Sequence, residues 1–370
     1  MHMVLDGVDW KSAMGRHQPT PDDAYIRQVL GIYRDLGYTY LRDGGDKHGA
    51  SVRARELAGE YGITYRSPIA PISLAGHYGG FIGYQVANLW EYAGLVKQFR
   101  RDGADFIKIM ISGLMDFDRF GVLTEDGLDP AVIGEMIHIA KGEGFSVMAH
   151  ANGARVMEAA AQAGVDSIEH GAYADHDALR AMVENQVVWV PTLSTIGELR
   201  RLPPQQGHWN GQWTMDNGQL PTPGCCAATL SQERVFGGAC SPNNRKVGAA
   251  GGSDATAACG GNRELSEWPR SVSEEGAPSP TRAPSIATGD SSAAMPAQND
   301  RKVGAAEVIL ESALRNVKAF AAMGGLVAPG TDAGAYAVPH GCGTEEGYFQ
   351  AAGVSKEQMD FGVKAIMERF

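Results

Sequence analysis

The chain lacks the positive charge, the long apolar runs and the cysteine spacing that mark several large classes of protein. Its 370 residues carry a net charge of −11 with a pI near 5.4. That balance argues against a nucleic-acid partner, which requires cationic groups to displace phosphate counterions. No apolar stretch approaches the ~20 residues a bilayer-spanning helix needs, so no membrane partner is expected. The opening Met-His-Met-Val-Leu-Asp-Gly has neither a basic start nor an apolar centre and does not read as a signal peptide. Of five cysteines, Cys225, Cys226, Cys240 and Cys259 share one segment and Cys342 stands apart; none has the C-x-x-C spacing of a zinc or redox site. A cytoplasmic, globular protein fits these absences, as does a content of 44% hydrophobic and 20% charged residues.

What the sequence does contain is alternation. Pro21-Asp22-Asp23 opens a helix whose apolar positions Ile26, Val29, Leu30, Tyr33 and Leu36 follow helical spacing, and Gly37 ends it. The pattern then predicts strands at Tyr38–Leu41, Ile63–Ser67, Phe106–Ile111, Ser146–Ala149, Ser167–Glu169, Val187–Pro191 and Leu326–Ala328. Helices are expected between them at Ser51–Tyr61, Val86–Arg101, Ala131–Glu143, Ala154–Ala163, Asp177–Asn185 and Glu307–Met323. Short, nearly all-apolar strands suit a parallel sheet buried on both faces. The expected architecture is α/β: a TIM-type (β/α)8 barrel that is incomplete, because only seven strands can be read and the first belongs before residue 1. Residues 1–20 then read as the loop leaving that strand.

One segment breaks the pattern. Residues 203–305 hold ten of the eighteen prolines and four of the five cysteines, and they carry an imperfect repeat, NNRKVGAA at 243–250 against NDRKVGAA at 299–306. Without periodicity such a composition buries too little apolar surface to offset chain entropy. The expected organisation is therefore barrel over 1–202, a low-complexity, largely disordered insertion over 203–305, and the last barrel unit with a C-terminal helix over 306–370.

Chemistry-bearing residues gather at predicted strand ends, and in a parallel barrel all those ends share one face. His150 and His170 close consecutive strand-helix units, and Asp332 follows the last strand on the sharp turn Pro329-Gly330-Thr331. Imidazoles and a carboxylate placed together suit a divalent metal able to activate water. Lys108 lies inside the apolar run Phe106–Ile111, where a free ammonium is costly to bury. It is either an inward lysine paired with a carboxylate, an amine whose pKa burial depresses, or a contact for a substrate carboxylate. His77, Tyr78 and His340 are read as substrate-binding residues on the same face, with a glycine-rich turn as the alternative for the first two. Arg42 and Asp43 are expected to pair internally, and His17, His138, His176 and His208 to be surface or loop residues.

The segments FIKIMISG, VMAHANGA, DSIEHGAY and APGTDAGAYAVPHG resemble the amidohydrolase superfamily, in particular its metal-dependent prolidase and imidazolonepropionase-like branch. The resemblance spans residues 1–200 and 306–340. It implies one or two divalent ions, usually zinc, with Lys108 as a carboxylated lysine bridging two metals and His150 and His170 as ligands of the second. Asp332 would touch the first metal and move the proton, and His2 would match the second histidine of the family's first-strand His-x-His pair. The family's first strand and β-sandwich are missing, so a member truncated at both ends is expected. The implied activity is metal-dependent hydrolysis of a C–N bond in a small molecule or dipeptide, with further copies of the chain (a homo-oligomer) as the one macromolecular partner considered. The alternative is a truncated, inactive relative that at most binds metal.

Overall fold

The computed structural model describes residues 1–199, 304–335 and 338–370. The segment read as a disordered insertion lies outside the described residues except at its last two positions. All described residues belong to one compact unit.

In chain order the elements are α1 (Trp10–Arg16), α2 (Asp23–Asp35), β1 (Tyr40–Arg42), α3 (Ala50–Ala58) running into a 3-10 turn (Gly59–Tyr61), and β2 (Thr64–Arg66). Next come β3 (Ile72–Leu74), β4 (Tyr84–Val86), α4 (Leu89–Arg101), β5 (Ile107–Met110), α5 (Pro130–Gly142), β6 (Val147–Ala151), α6 (Ala154–Gln162) and β7 (Ser167–His170). The described chain ends with α7 (His176–Glu184), β8 (Val188–Val190), α8 (Leu193–Leu199), α9 (Ala305–Ala322), β9 (Leu326–Val327), α10 (Glu345–Ala351) and α11 (Lys356–Arg369). Helix ends follow local chemistry. Asp22 accepts from Tyr25 N–H to start α2, Asp129 and Pro130 start α5, and Ser355 with Gln358 forms a capping box on α11.

Every sheet pairing is parallel: β1 with β2, and the order β4-β3-β5-β6-β7-β8-β9. The two sheets meet where Asp105 N–H donates to Ser67 O at 2.9 Å. This is a parallel α/β sheet of the TIM-barrel type, without closure among the described residues. All seven expected strands are present. β3 and β4 were not foreseen, because three residues beside Pro71 and Gly83 are too few to show a period. The reading of residues 1–20 as a loop is corrected by α1, which Asp9 caps through Lys11 and Ser12 N–H.

Period-two alternation sorts the side chains. Ile107, Ile109, Ala149, Ile168 and Trp189 face the helices and form the main core. Phe106, Met148, Val188, Val190 and Ala328 face inward, where Ile366 and Phe370 of α11 join them. Phe370 meets Phe106 edge-on at 5.1 Å, and the Arg42 guanidinium lies 4.4 Å from the Phe370 ring centre. A Cβ at Gly362 would collide with the Val327 carbonyl, so glycine lets α11 lie directly on β9. Between the free edges of β1 and β9, Met1 is bonded on one side and His2 on the other. Met1 O accepts from Gly44 N–H at 2.8 Å, and His2 N–H donates to Ala333 O at 2.8 Å. The helical face of α2 buries Ile26, Val29, Leu30 and Tyr33, but Leu36 is 55% exposed.

Candidate active site

Strand ends bring the expected ligands to one place. In the β5-β6 ladder Met110 pairs with His150, and in the β6-β7 ladder Ala151 pairs with His170, so neighbouring registers set the two imidazoles side by side. Their ring centres are 4.6 Å apart. His2 Nε2 stands 3.7 Å from Asp332 Oδ1. The charge on Lys108 acts on His2, His150, His170 and Asp332 alike, which places all five groups in one electrostatic neighbourhood.

Each imidazole is tethered through one nitrogen. His150 Nε2–H donates to Gly113 O at 3.1 Å, and His2 Nδ1–H donates to Gly45 O at 3.2 Å. His170 Nδ1 is 2.8 Å from Thr192 Oγ1. A carbonyl can only accept, so the opposite nitrogen of His150 and of His2 keeps its lone pair, and Nε2 of His170 is likewise left open. This is the outer-shell pattern that presents histidine to a cation. Burial, the largest cause, pushes all three imidazoles down: His150 to about 3, His2 and His170 well below their usual range. They are neutral donors at physiological pH.

Lys108 is 3% exposed, and no hydrogen bond or ion pair engages its amine among the described residues. Desolvation lowers its pKa to about 8, partly opposed by the charges of Glu169 and Asp332. The paired-lysine reading is therefore not what the structure shows. Glu169 is instead held by Arg42 at 2.9 Å and by Ser167 Oγ at 2.7 Å. Arg42 and Asp43 do pair internally, though not with each other. Asp43 accepts from Met3 N–H, Gly45 N–H and the Tyr65 hydroxyl. Burial raises Asp332 to about 6.

His170, Thr192 and Asp332 all have left-handed backbones, with φ of 68°, 49° and 54°. Non-glycine residues pay for that conformation, and such strain concentrates at functional sites. Thr192 was not foreseen; a hydroxyl two residues beyond a strand gives no sequence signal of its own.

The other candidates divide. The Tyr78 ring lies 5.0 Å from that of His150, and His77 Nδ1 is 3.6 Å from Glu125 Oε1. His340 spends both nitrogens on the scaffold, one on Leu5 O at 2.9 Å and one on the Tyr33 hydroxyl at 3.1 Å. His17 lies in the turn after α1, within the surface-or-loop reading, but it is buried, 1% exposed, and accepts from Asp22 N–H. His138 and His176 are exposed as expected, and His208 lies outside the described residues.

Among the described residues no three His, Cys, Asp or Glu side chains already stand at ion-holding spacing. The fit of this site to a metal therefore rests on the donor set: neutral imidazoles with one nitrogen tethered, an amine free of partners and a buried carboxylate. Chemically such a set suits zinc or a similar divalent ion.

No family model matches the chain. Ochratoxinase of Aspergillus niger is 29% identical over 149 residues, which are 39% of this chain and 28% of that protein. The match thus spans little more than a quarter of the curated relative. Among solved structures, a Xaa-Pro dipeptidase with bound methionine in its active site shares the fold, with a TM-score of 0.59 and 17% identity over all of this chain and 74% of that one. The A. niger ochratoxinase structure gives 0.44 and 24% identity, covering 53% of this chain and 51% of that one. A prolidase complexed with N-methylphosphonate-L-proline gives 0.43 and 23%, covering 54% and 53%. At 17% identity the dipeptidase match shows a shared fold.

Proposed function

We propose that this chain is a metal-dependent amidohydrolase that cleaves a C–N bond in a small molecule or dipeptide, in a cytoplasmic setting. The observation that carries this reading is the meeting of His2, Lys108, His150, His170 and Asp332 at the strand ends, with three imidazoles each tethered through one nitrogen. His150 and His170 would hold one divalent ion, zinc by resemblance, and His2 and Asp332 a second. Lys108 as its carbamate would join the two, since an amine brought to about 8 supplies the neutral form that takes up carbon dioxide. When bound, such ions polarise a scissile carbonyl and acidify water.

The side chains then have distinct tasks. Asp332, raised to about 6, accepts a proton from the attacking water and returns it to the departing nitrogen. Thr192, Gly113 and Gly45 hold the imidazoles in orientation. Tyr78, whose ring lies beside that of His150, and its neighbour His77 would meet the substrate, whereas His340 acts through the scaffold.

Elemental analysis of purified protein, with a panel of dipeptides and N-acylated amino acids, tests the reading. The expected result is near-stoichiometric divalent metal and hydrolysis abolished by chelation. Metal-free protein that hydrolyses nothing after loading would overturn it in favour of an inactive relative, and bound metal without turnover would leave a metal-binding protein.

A further inference from the structure

A single buried amide laces together the exits of β5, β6 and β7. Asn152 follows β6, two residues beyond His150, and is 1% exposed. Its Nδ2–H donates to Gly113 O in the exit of β5 at 3.0 Å, and its Oδ1 accepts from Ala172 N–H in the exit of β7 at 3.0 Å. Its backbone N–H donates to Ser112 Oγ at 2.7 Å. Gly113 O is the carbonyl that also receives His150 Nε2–H, and Ala172 lies two residues beyond His170. Gly171 N–H to Ala151 O at 3.0 Å and Gly153 N–H to Ala172 O at 2.7 Å complete the lattice between the last two exits. The amide fits one way round. Turned over, its NH2 would face the Ala172 N–H and its oxygen the Gly113 carbonyl, donor on donor and acceptor on acceptor. Aspartate would offer an acceptor to both neighbours, and alanine would leave a buried N–H without its acceptor.

We propose that Asn152 is a positioning residue that fixes His150 and His170 relative to each other, by tying the carbonyl that orients the first to the turn that follows the second. The inference deepens the metal-site reading and rests on it for its link to an ion. Two imidazoles share an ion when their lone pairs converge, and rings with centres 4.6 Å apart on separate strands need a common brace to stay so. Gly113 steadies one ring, and Asn152 joins that support to the backbone behind the other.

The test uses the full chain freed of metal, with isotope-labelled histidine read by nitrogen NMR, and zinc alone as the probe in competition with a chromogenic chelator. Wild type is expected to hold His150 wholly as the Nε2–H tautomer. Asn152→Ala is expected to mix the two tautomers and to weaken zinc by about 10- to 100-fold. Ser112→Ala deletes a buried hydrogen bond of the same neighbourhood and leaves the amide bridge in place, so it controls for a merely structural loss and should keep the wild-type tautomer and affinity. Wild-type behaviour of Asn152→Ala, or an equal loss in Ser112→Ala, overturns the proposal. Where Asn152→Ala does not fold, hydrogen exchange in wild type decides. The Asn152 NH2 and the Ala172 N–H should be protected alike, as one cross-link, and rapid exchange of the NH2 beside a protected Ala172 N–H overturns the proposal. If wild type takes up no zinc yet Asn152→Ala mixes the tautomers, the metal reading fails and the positioning role stands.

Discussion

Asp332 is the residue on which turnover should depend most sharply. Asp332→Asn keeps the shape and removes the proton acceptor, and kcat should fall by at least about 100-fold in steady-state assays with retained folding. Thr192→Val removes the oxygen beside His170 Nδ1 while leaving the ring in place. Metal affinity measured by competition with a chromogenic chelator should weaken about 10- to 100-fold. Of these two residues only Asp332 was legible in the sequence, because a carboxylate on a Pro-Gly-Thr turn after a buried strand has no packing reason to be there. For Lys108 the sequence left three readings open, and spacing alone could not choose among them. Spacing shows that an amine is buried, but Glu169 is already claimed by Arg42, a residue 127 positions away.

At the scale of elements, α11 and the Glu345 loop carry the clearest expectations. Gly362→Ala would push a methyl into the Val327 carbonyl, and urea unfolding should show a loss of roughly 1–3 kcal/mol. The Glu345 carboxylate caps the segment at Leu193 and Ser194 by accepting both N–H groups at 2.9 and 2.7 Å. Burial raises its pKa from 4.5 to about 7. Between those values the unfolded chain ionises while the folded chain keeps its proton, so stability is greatest below the lower value and declines as pH rises to the upper one. The decline should amount to about 3 kcal/mol in urea titrations and be missing from Glu345→Gln. Elements with sustained period were readable, as the buried face of α2 shows; β3, β4 and α1 were not, being short and set by contacts distant in sequence. Leu36 kept helical spacing yet lies beyond the last helical turn, where the chain already turns to solvent.

Over the whole molecule, binding and folding are linked. A divalent ion held only by the native site should raise the unfolding midpoint in calorimetry, by about 2.7 kcal/mol of stability at 100 times its dissociation constant. Chelator should reverse the rise, and Asp332→Asn should blunt it. The left-handed backbones at His170, Thr192 and Asp332 bear on the same balance. Glycine would sit at each of those torsions more comfortably, by roughly 1 kcal/mol. Laboratory evolution for heat tolerance alone would therefore drift toward glycine at these three turns, and the toughest descendants would have lost their reagents.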